Sequence, residues 1–212
     1  MELYVEHRES QTRVLGPGLR YALWLQGCKK RCTGCINPEG WSLTSGGTYI
    51  PVHMLLSEIK AVNGLRGITV SGGEPFLQAG ALAQLVSSVK NETELDIMVF
   101  SGYTLHELQV QSQKSSAIVQ ILKNIDLLVD GEYRAEENHN QMYRGSGNQR
   151  IYDLSGKYMP YLRRMELGEN RSFEFVCRGK EQDLFTVGIP PQGFQKVFWQ
   201  QIKNRQMKEE NI

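Results

Sequence analysis

Apolar positions along the chain fall into two rhythms. Short, nearly continuous runs of large apolar residues occur at 19–26, 67–70, 95–100 and 125–129, and read as buried strands. Between them the spacing changes to that of a helix. Val52, Leu55, Leu56, Ile59 and Val62 form one such stripe, opened by Pro51 and closed by Asn63-Gly64; Leu77, Ala81, Leu85 and Val89 form another, opened by Pro75. Residues 104–123 carry a third stripe, in one long or broken helix. Strands alternating with helices predict an α/β sheet or barrel with parallel pairing. Residues 132–150 break the rhythm. They are polar and hold Gly145, Gly147 and several Asn and Gln, so they read as a long surface loop, partly mobile. Two late strands are expected at 173–177 and 184–187. A closing helix is expected at 194–207, with Val197, Phe198 and Ile202 inward.

Composition narrows this picture. The chain has 212 residues, 40 % of them hydrophobic, which suits a single folded domain spanning 1–212. Lys and Arg number 24 against 23 Asp and Glu, a net charge of +1. No strong overall field exists to draw nucleic acid or an anionic membrane, which leaves room only for a local basic patch, and no basic-aromatic stripe appears. No apolar run approaches a membrane span, and the first residues lack the order of a secretory signal, so a cytoplasmic location is expected.

Four cysteines carry the sharpest chemistry. Cys28, Cys32 and Cys35 stand in a C-x3-C-x2-C loop directly after the first predicted strand, while Cys177 stands alone. Three clustered thiols in a reducing compartment point to metal rather than disulfides. A structural zinc site or an electron-transfer cluster normally takes four protein ligands. Three thiolates suit a cubane 4Fe-4S cluster whose fourth iron stays open. A Cys3His zinc site using His53 or His7, or a four-cysteine cluster recruiting Cys177, are the competing readings, and the zinc version would be a binding module without catalysis. Lys29, Lys30 and Arg31 either offset the cluster's charge or form a solvated surface run.

The chain resembles the radical S-adenosylmethionine (SAM) superfamily, and within it the activating enzymes of glycyl-radical enzymes, particularly the anaerobic ribonucleotide reductase activases. The resemblance rests on 27–41, Ser71-Gly72-Gly73-Glu74-Pro75, Ser101-Gly102-Tyr103-Thr104, 126–131 and 144–150, in the family's order, and covers residues 19 to 150. It implies a partial (β/α)6 radical SAM barrel. By the same resemblance Cys28, Cys32 and Cys35 hold three irons, and the open iron takes the amino and carboxylate groups of SAM. Reduction of the sulfonium by one electron then yields methionine and a 5′-deoxyadenosyl radical.

Cofactor-binding positions implied this way are Gly34, Ile36, Gly72, Gly73, Glu74, Ser101 and Asp130. Gly72 and Gly73, lacking Cβ atoms, would let SAM approach the strand end, and Glu74 would face its ammonium. Asp130 would orient the ribose or carboxylate, or else begin a turn before Gly131. Ser101 and Tyr103 would line the pocket, and Asn37, Pro38 and Trp41 would shape the end of the cluster loop. Gly34 occupies the place where many superfamily members carry an aromatic. The segment 188–193 departs from the activase pattern and would lie beside the adenine. The implied partners are a glycyl-radical enzyme subunit, or a peptide or small molecule as radical acceptor, and a flavodoxin- or ferredoxin-type electron donor.

Overall fold

The computed structural model describes residues 1–167, 171–178, 183–191, 193–194, 197–198, 200–202 and 204. Its frame is a seven-stranded sheet. In chain order the elements are β1 (Glu2–Thr12), β2 (Arg20–Leu25), β3 (Thr48–Pro51), α1 (Val52–Ala61), β4 (Gly67–Gly72), α2 (Ala79–Glu92), β5 (Asp96–Phe100), α3 (Leu105–Ser112), α4 (Ser116–Asn124), β6 (Leu127–Asp130), β7 (Arg150–Asp153), α5 (Met159–Leu167), β8 (Phe173–Arg178) and β9 (Asp183–Gly188). The sheet order is β3-β1-β2-β4-β5-β6-β7, and β8 and β9 form a separate antiparallel hairpin.

The expected βα rhythm holds in the middle of the sheet. Strands β2, β4, β5 and β6 pair in parallel, while β1 and β3 on one flank and β7 on the other run antiparallel. Four parallel strands, not six, are therefore present among the described residues. The 104–123 segment is the broken form of the expected helix. It is interrupted after Ser112, and each half has its own cap: Thr104 and Glu107 form a capping box on α3, and Ser115 caps α4.

Alternation along the strands sorts the two faces. Leu23, Ile68, Val70, Ile97, Val99 and Leu128 point to the helix side and pack with Leu55, Ile59, Leu82, Val86 and Ile121. Met98, Leu127 and Val129 point the other way, onto Ile151, Tyr158 and Met165. Val187 of the hairpin joins Val14, Leu15 and Ala22 on that second face, and the Thr12 hydroxyl donates to Glu174 at 2.8 Å. The start of the parallel strands is locked by a fully buried Arg20, which ion-pairs with Asp96 at 2.6 Å and donates to Thr69.

Of the expected closing helix, only parts of 194–204 are described and the rest of 194–207 lies outside. The described parts are helical, but Val197 is 60 % exposed rather than inward. No helix among the described residues is long and apolar enough to cross a membrane.

Candidate active site

The loop after β2 doubles back on itself. The Gly27 N–H donates to the Gly40 carbonyl at 2.8 Å and the Cys28 N–H to the Trp41 carbonyl at 3.2 Å, which closes the cysteine segment at its base. Inside it Arg31 and Gly34 adopt left-handed backbone, and the Cys35 N–H bonds the Cys32 carbonyl at 3.1 Å. A 3-10 turn at Pro38–Trp41 ends the loop. Asn37 anchors it by donating from Nδ2 to Glu6 on β1 at 2.6 Å.

Cys28, Cys32 and Cys35 all line one cavity of about 460 Å³ at the C-terminal ends of the parallel strands. That is the edge of an α/β sheet at which ligands bind. Cys28 is buried and the other two are half-buried. Burial pushes the Cys32 and Cys35 thiols up. The Tyr133 backbone N–H works against this at Cys32, as do the Asn37 backbone N–H and the Trp41 indole at Cys35. Iron must displace these protons, so loading releases them to solvent.

The residues fit a cluster better than a single ion. Among the described residues no three His, Cys, Asp or Glu side chains gather closely enough to hold one metal ion. His53 is exposed on α1, and His7 stacks on Phe185 at 5.0 Å; neither lines the cavity. The side chain of Cys177 lies outside the described residues.

The Gly-Gly-Glu segment is welded to the cysteine loop. The Gly73 N–H donates to the Leu25 carbonyl at 2.7 Å, and the Glu74 N–H to the Gly27 carbonyl at 2.8 Å. A Cβ on Gly72 would stand 2.3 Å from the backbone N and O of Leu25, and one on Gly73 would stand 2.3 Å from the Gly27 carbonyl oxygen. The small size expected to admit a ligand is thus required first by the protein's own backbone. Glu74 is 1 % exposed. Its carboxylate accepts from the Gly102 N–H at 2.7 Å, the Phe76 N–H at 3.0 Å and the Ser101 hydroxyl at 3.0 Å, tying the ends of β4 and β5 together.

Burial pushes the Glu74 carboxyl up from 4.5 to about 7, against those donors and the nearby Lys30 ammonium. A carboxyl raised on folding favours the native state most below its unfolded value, and that contribution is lost as pH rises through the folded one. In urea titrations of the cluster-free protein, wild type therefore loses stability relative to Glu74→Gln between about pH 5 and about pH 8. A difference independent of pH contradicts this.

Gly34, Ile36, Gly72, Gly73, Glu74 and Ser101 all line the cavity. Asp130 is the exception. Gly131 borders the cavity in its place, while the Asp130 carboxylate accepts from the Leu105 N–H at the start of α3 at 2.6 Å and from the Arg150 N–H at 3.3 Å. Its observed work is to brace the strand end rather than to face a ligand. The basic run divides. Lys29 and Arg31 are exposed, whereas Lys30 lines the cavity, pairs with Glu132 at 2.7 Å and lies 4.3 Å from the centre of the Tyr103 ring.

Of two further walls, only the first escaped the sequence reading. Tyr133 follows β6, and its ring lies where a Gly145 side chain would clash at 2.8 Å and 3.6 Å from where a Gly34 Cβ would stand. Gly145 belongs to the 144–150 segment, which the structure makes a self-knit turn. The Gln149 side chain accepts from the Gly145 and Ser146 N–H groups and donates to the Gly131 carbonyl at 2.7 Å. The second wall is Gly188, Ile189, Pro190, Pro191 and Gly193, so the stretch that departs from the activase pattern does border the cavity.

The chain is similar to several known proteins. The family described as a 4Fe-4S single cluster domain matches residues 14–152. The chain is 38 % identical over 146 residues to the anaerobic ribonucleoside-triphosphate reductase-activating protein of Vibrio cholerae, covering 66 % of this chain and 90 % of that one. The protein of the same name in Escherichia coli K12 is 32 % identical over 148 residues, covering 66 % and 92 %. A pyruvate formate-lyase-activating enzyme of Staphylococcus epidermidis is 43 % identical over 89 residues, 39 % of this chain and 35 % of that one.

Proposed function

Because the chain belongs to the 4Fe-4S single cluster domain family, in company with the anaerobic ribonucleoside-triphosphate reductase-activating proteins, we propose that it is a radical SAM enzyme that installs a glycyl radical on a partner enzyme. The observation that carries this reading is the meeting of three cysteines of one loop with the Gly-Gly-Glu strand end in a single cavity. When bound, the cluster and SAM supply the one-electron cleavage that gives a 5′-deoxyadenosyl radical, which takes a hydrogen atom from the acceptor.

The chain's own residues hold and orient those groups. Cys28, Cys32 and Cys35 bind three irons. Ser71 and Gly72 lie past the last β4–β5 pair, Val70 with Val99, so their free strand edge receives the SAM ammonium. A SAM ammonium held at this strand end would favour the Glu74 carboxylate, so that uptake below about pH 7 would release a proton from Glu74. Gly34, Ile36 and Ser101 complete the SAM wall. Asp130 supports it from behind through α3.

We read the four parallel strands and the helices packed on one face as a shortened partial barrel, within a single domain in the cytoplasm. The acceptor is a glycyl-radical enzyme of the anaerobic ribonucleotide reductase kind, and the electron comes from a flavodoxin- or ferredoxin-type donor. Supplying the reduced holoenzyme with SAM and the large subunit of an anaerobic ribonucleoside-triphosphate reductase tests this: the expected result is the doublet signal of a glycyl radical in electron paramagnetic resonance. SAM cleavage without that doublet, stimulated instead by a peptide or small molecule, replaces the activase with a modifying enzyme.

A further inference from the structure

Part of the cavity wall comes from outside residues 14–152, the stretch that the family model matches. Gly188, Ile189, Pro190, Pro191 and Gly193 follow β9 and border the cavity together with Tyr133, Gly145 and Gln149. Two of them are prolines, which have no N–H by which the stretch could be tied back. The tie comes from Arg171, just before β8. Its guanidinium donates to the Pro190 carbonyl at 3.4 Å, and also to the carbonyls of Arg144 at 2.7 Å, Gly145 at 3.2 Å and Gln141 at 3.4 Å. Arg171 is half-buried, and all the hydrogen bonds it makes among the described residues go to backbone carbonyls. A guanidinium drawn out of water needs its donors taken up, and its planar fork suits carbonyls that arrive from two segments. The N–H groups of the Gly145 turn go to Gln149 and its carbonyls to Arg171, which completes the joint.

The β8–β9 hairpin has other anchors. Val187 packs with Val14, Leu15 and Ala22, and Glu174 accepts from the Thr12 hydroxyl at 2.8 Å and the Arg13 N–H at 3.2 Å. Loss of the guanidinium therefore frees the 189–191 stretch without undocking the hairpin.

Charge is unevenly spread around the cavity. Apart from the cysteines, only Lys30 and Glu74 carry charge among the residues that line it. They flank Gly102, where a Cβ would stand 3.3 Å from Lys30 Cγ and 3.4 Å from Glu74 Oε2. Tyr133, Gly145, Gln149, Ile189, Pro190 and Pro191 form an uncharged patch. SAM is divided in the same way: its methionyl group and sulfonium carry all of its charge, and its nucleoside carries none.

We propose that Arg171 is a positioning residue for SAM: by tying 189–191 to the Gly145 turn, it holds the uncharged side of the cavity against the nucleoside. Arg171 is not among the residues that line the cavity and acts through those two walls. The proposal rests on the SAM reading above.

The test is equilibrium binding to the reconstituted full-length holoenzyme. Wild type, Arg171→Gln and Arg171→Lys are compared for two ligands. SAM is measured by dialysis. Methionine, the charged end of SAM without its nucleoside, is measured by the change it makes in the electron paramagnetic resonance spectrum of the reduced cluster. Arg171→Gln is expected to raise the SAM dissociation constant about five- to tenfold and that of methionine by less than about twofold. Arg171→Lys, a point charge in place of a planar fork, is expected to raise the SAM constant less. An unchanged SAM affinity in both variants overturns the proposal. Equal weakening of SAM and methionine also overturns it, because the loss would then come from the cluster side or from the fold. Wild type is measured first: a chain with about four irons that binds no SAM overturns the SAM reading itself, whereas normal SAM binding that both variants retain overturns only the role of Arg171.

Discussion

Alanine at Cys32 is expected to leave the protein folded and its cluster lost. Cys32 is half-buried on a loop closed at its base by Gly27 and Cys28, so removing one sulfur disturbs no part of the core. The melting transition should stay within about 0.5 kcal/mol of wild type. The chemistry has no such reserve. If the three cysteines that line the cavity are the cluster's protein ligands, as proposed, losing one leaves two thiolates, and loading, which is a binding equilibrium of deprotonated sulfurs, collapses. Bound iron after anaerobic reconstitution and desalting is expected to fall to background, and SAM cleavage by at least about a hundredfold, beyond the effect of losing a supporting contact. Cys177→Ala, outside the triplet, should keep both.

The second large effect comes from a single methyl group. Gly73→Ala places a carbon 2.3 Å from the Gly27 carbonyl oxygen and 2.6 Å from that of Gly40, far inside any real contact. Both carbonyls are backbone: that of Gly40 accepts the Gly27 N–H that closes the cysteine loop, and that of Gly27 accepts the Glu74 N–H, so neither can yield cheaply. The cost is expected to reach about 3 kcal/mol or more, with loss of cluster binding. Gly64→Ala gives the contrast. Its Cβ meets nothing within 4 Å, and only its φ of +77° resists the change, at about 1 to 2 kcal/mol. Parallel denaturation curves and iron analyses check both; equal losses for the two variants would contradict the packing argument.

The difference between these glycines also shows what a sequence conceals. The Gly72-Gly73 pair marks the right strand end, but the bodies it must avoid, Leu25, Gly27 and Gly40, are brought there only by the fold. The parallel core was legible because Leu23, Val70, Val99 and Leu128 sit in strong apolar runs, buried on both faces of the sheet. Its antiparallel flanks were not. Strand β1 is mostly polar and its pairing with β2 slips register twice, which erases the period of two. Strands β3 and β7 are four residues each, and β7 begins inside the polar 132–150 stretch. Helix α5 starts with Met159-Pro160 and carries adjacent arginines, so no apolar stripe announces it.

At the site, the meeting of the cysteines and Glu74 in one cavity was legible because both stand in short local motifs. Asp130 stayed open in the sequence because a carboxylate at a strand end can face either a ligand or the next helix, and here it accepts the Leu105 N–H. Tyr133 had no motif of its own. The one available hint was the pair of glycines, Gly34 and Gly145, whose missing side chains leave room for its ring.

A single experiment decides whether Cys28, Cys32 and Cys35 hold a 4Fe-4S cluster that cleaves SAM reductively. Reconstitute the protein without oxygen, reduce it with dithionite, add SAM, and quantify 5′-deoxyadenosine beside the Cys32→Ala variant. Wild type is expected to hold about four irons per chain and to yield 5′-deoxyadenosine, with both absent in the variant. Tightly bound zinc, with no 5′-deoxyadenosine after verified reduction, would contradict it.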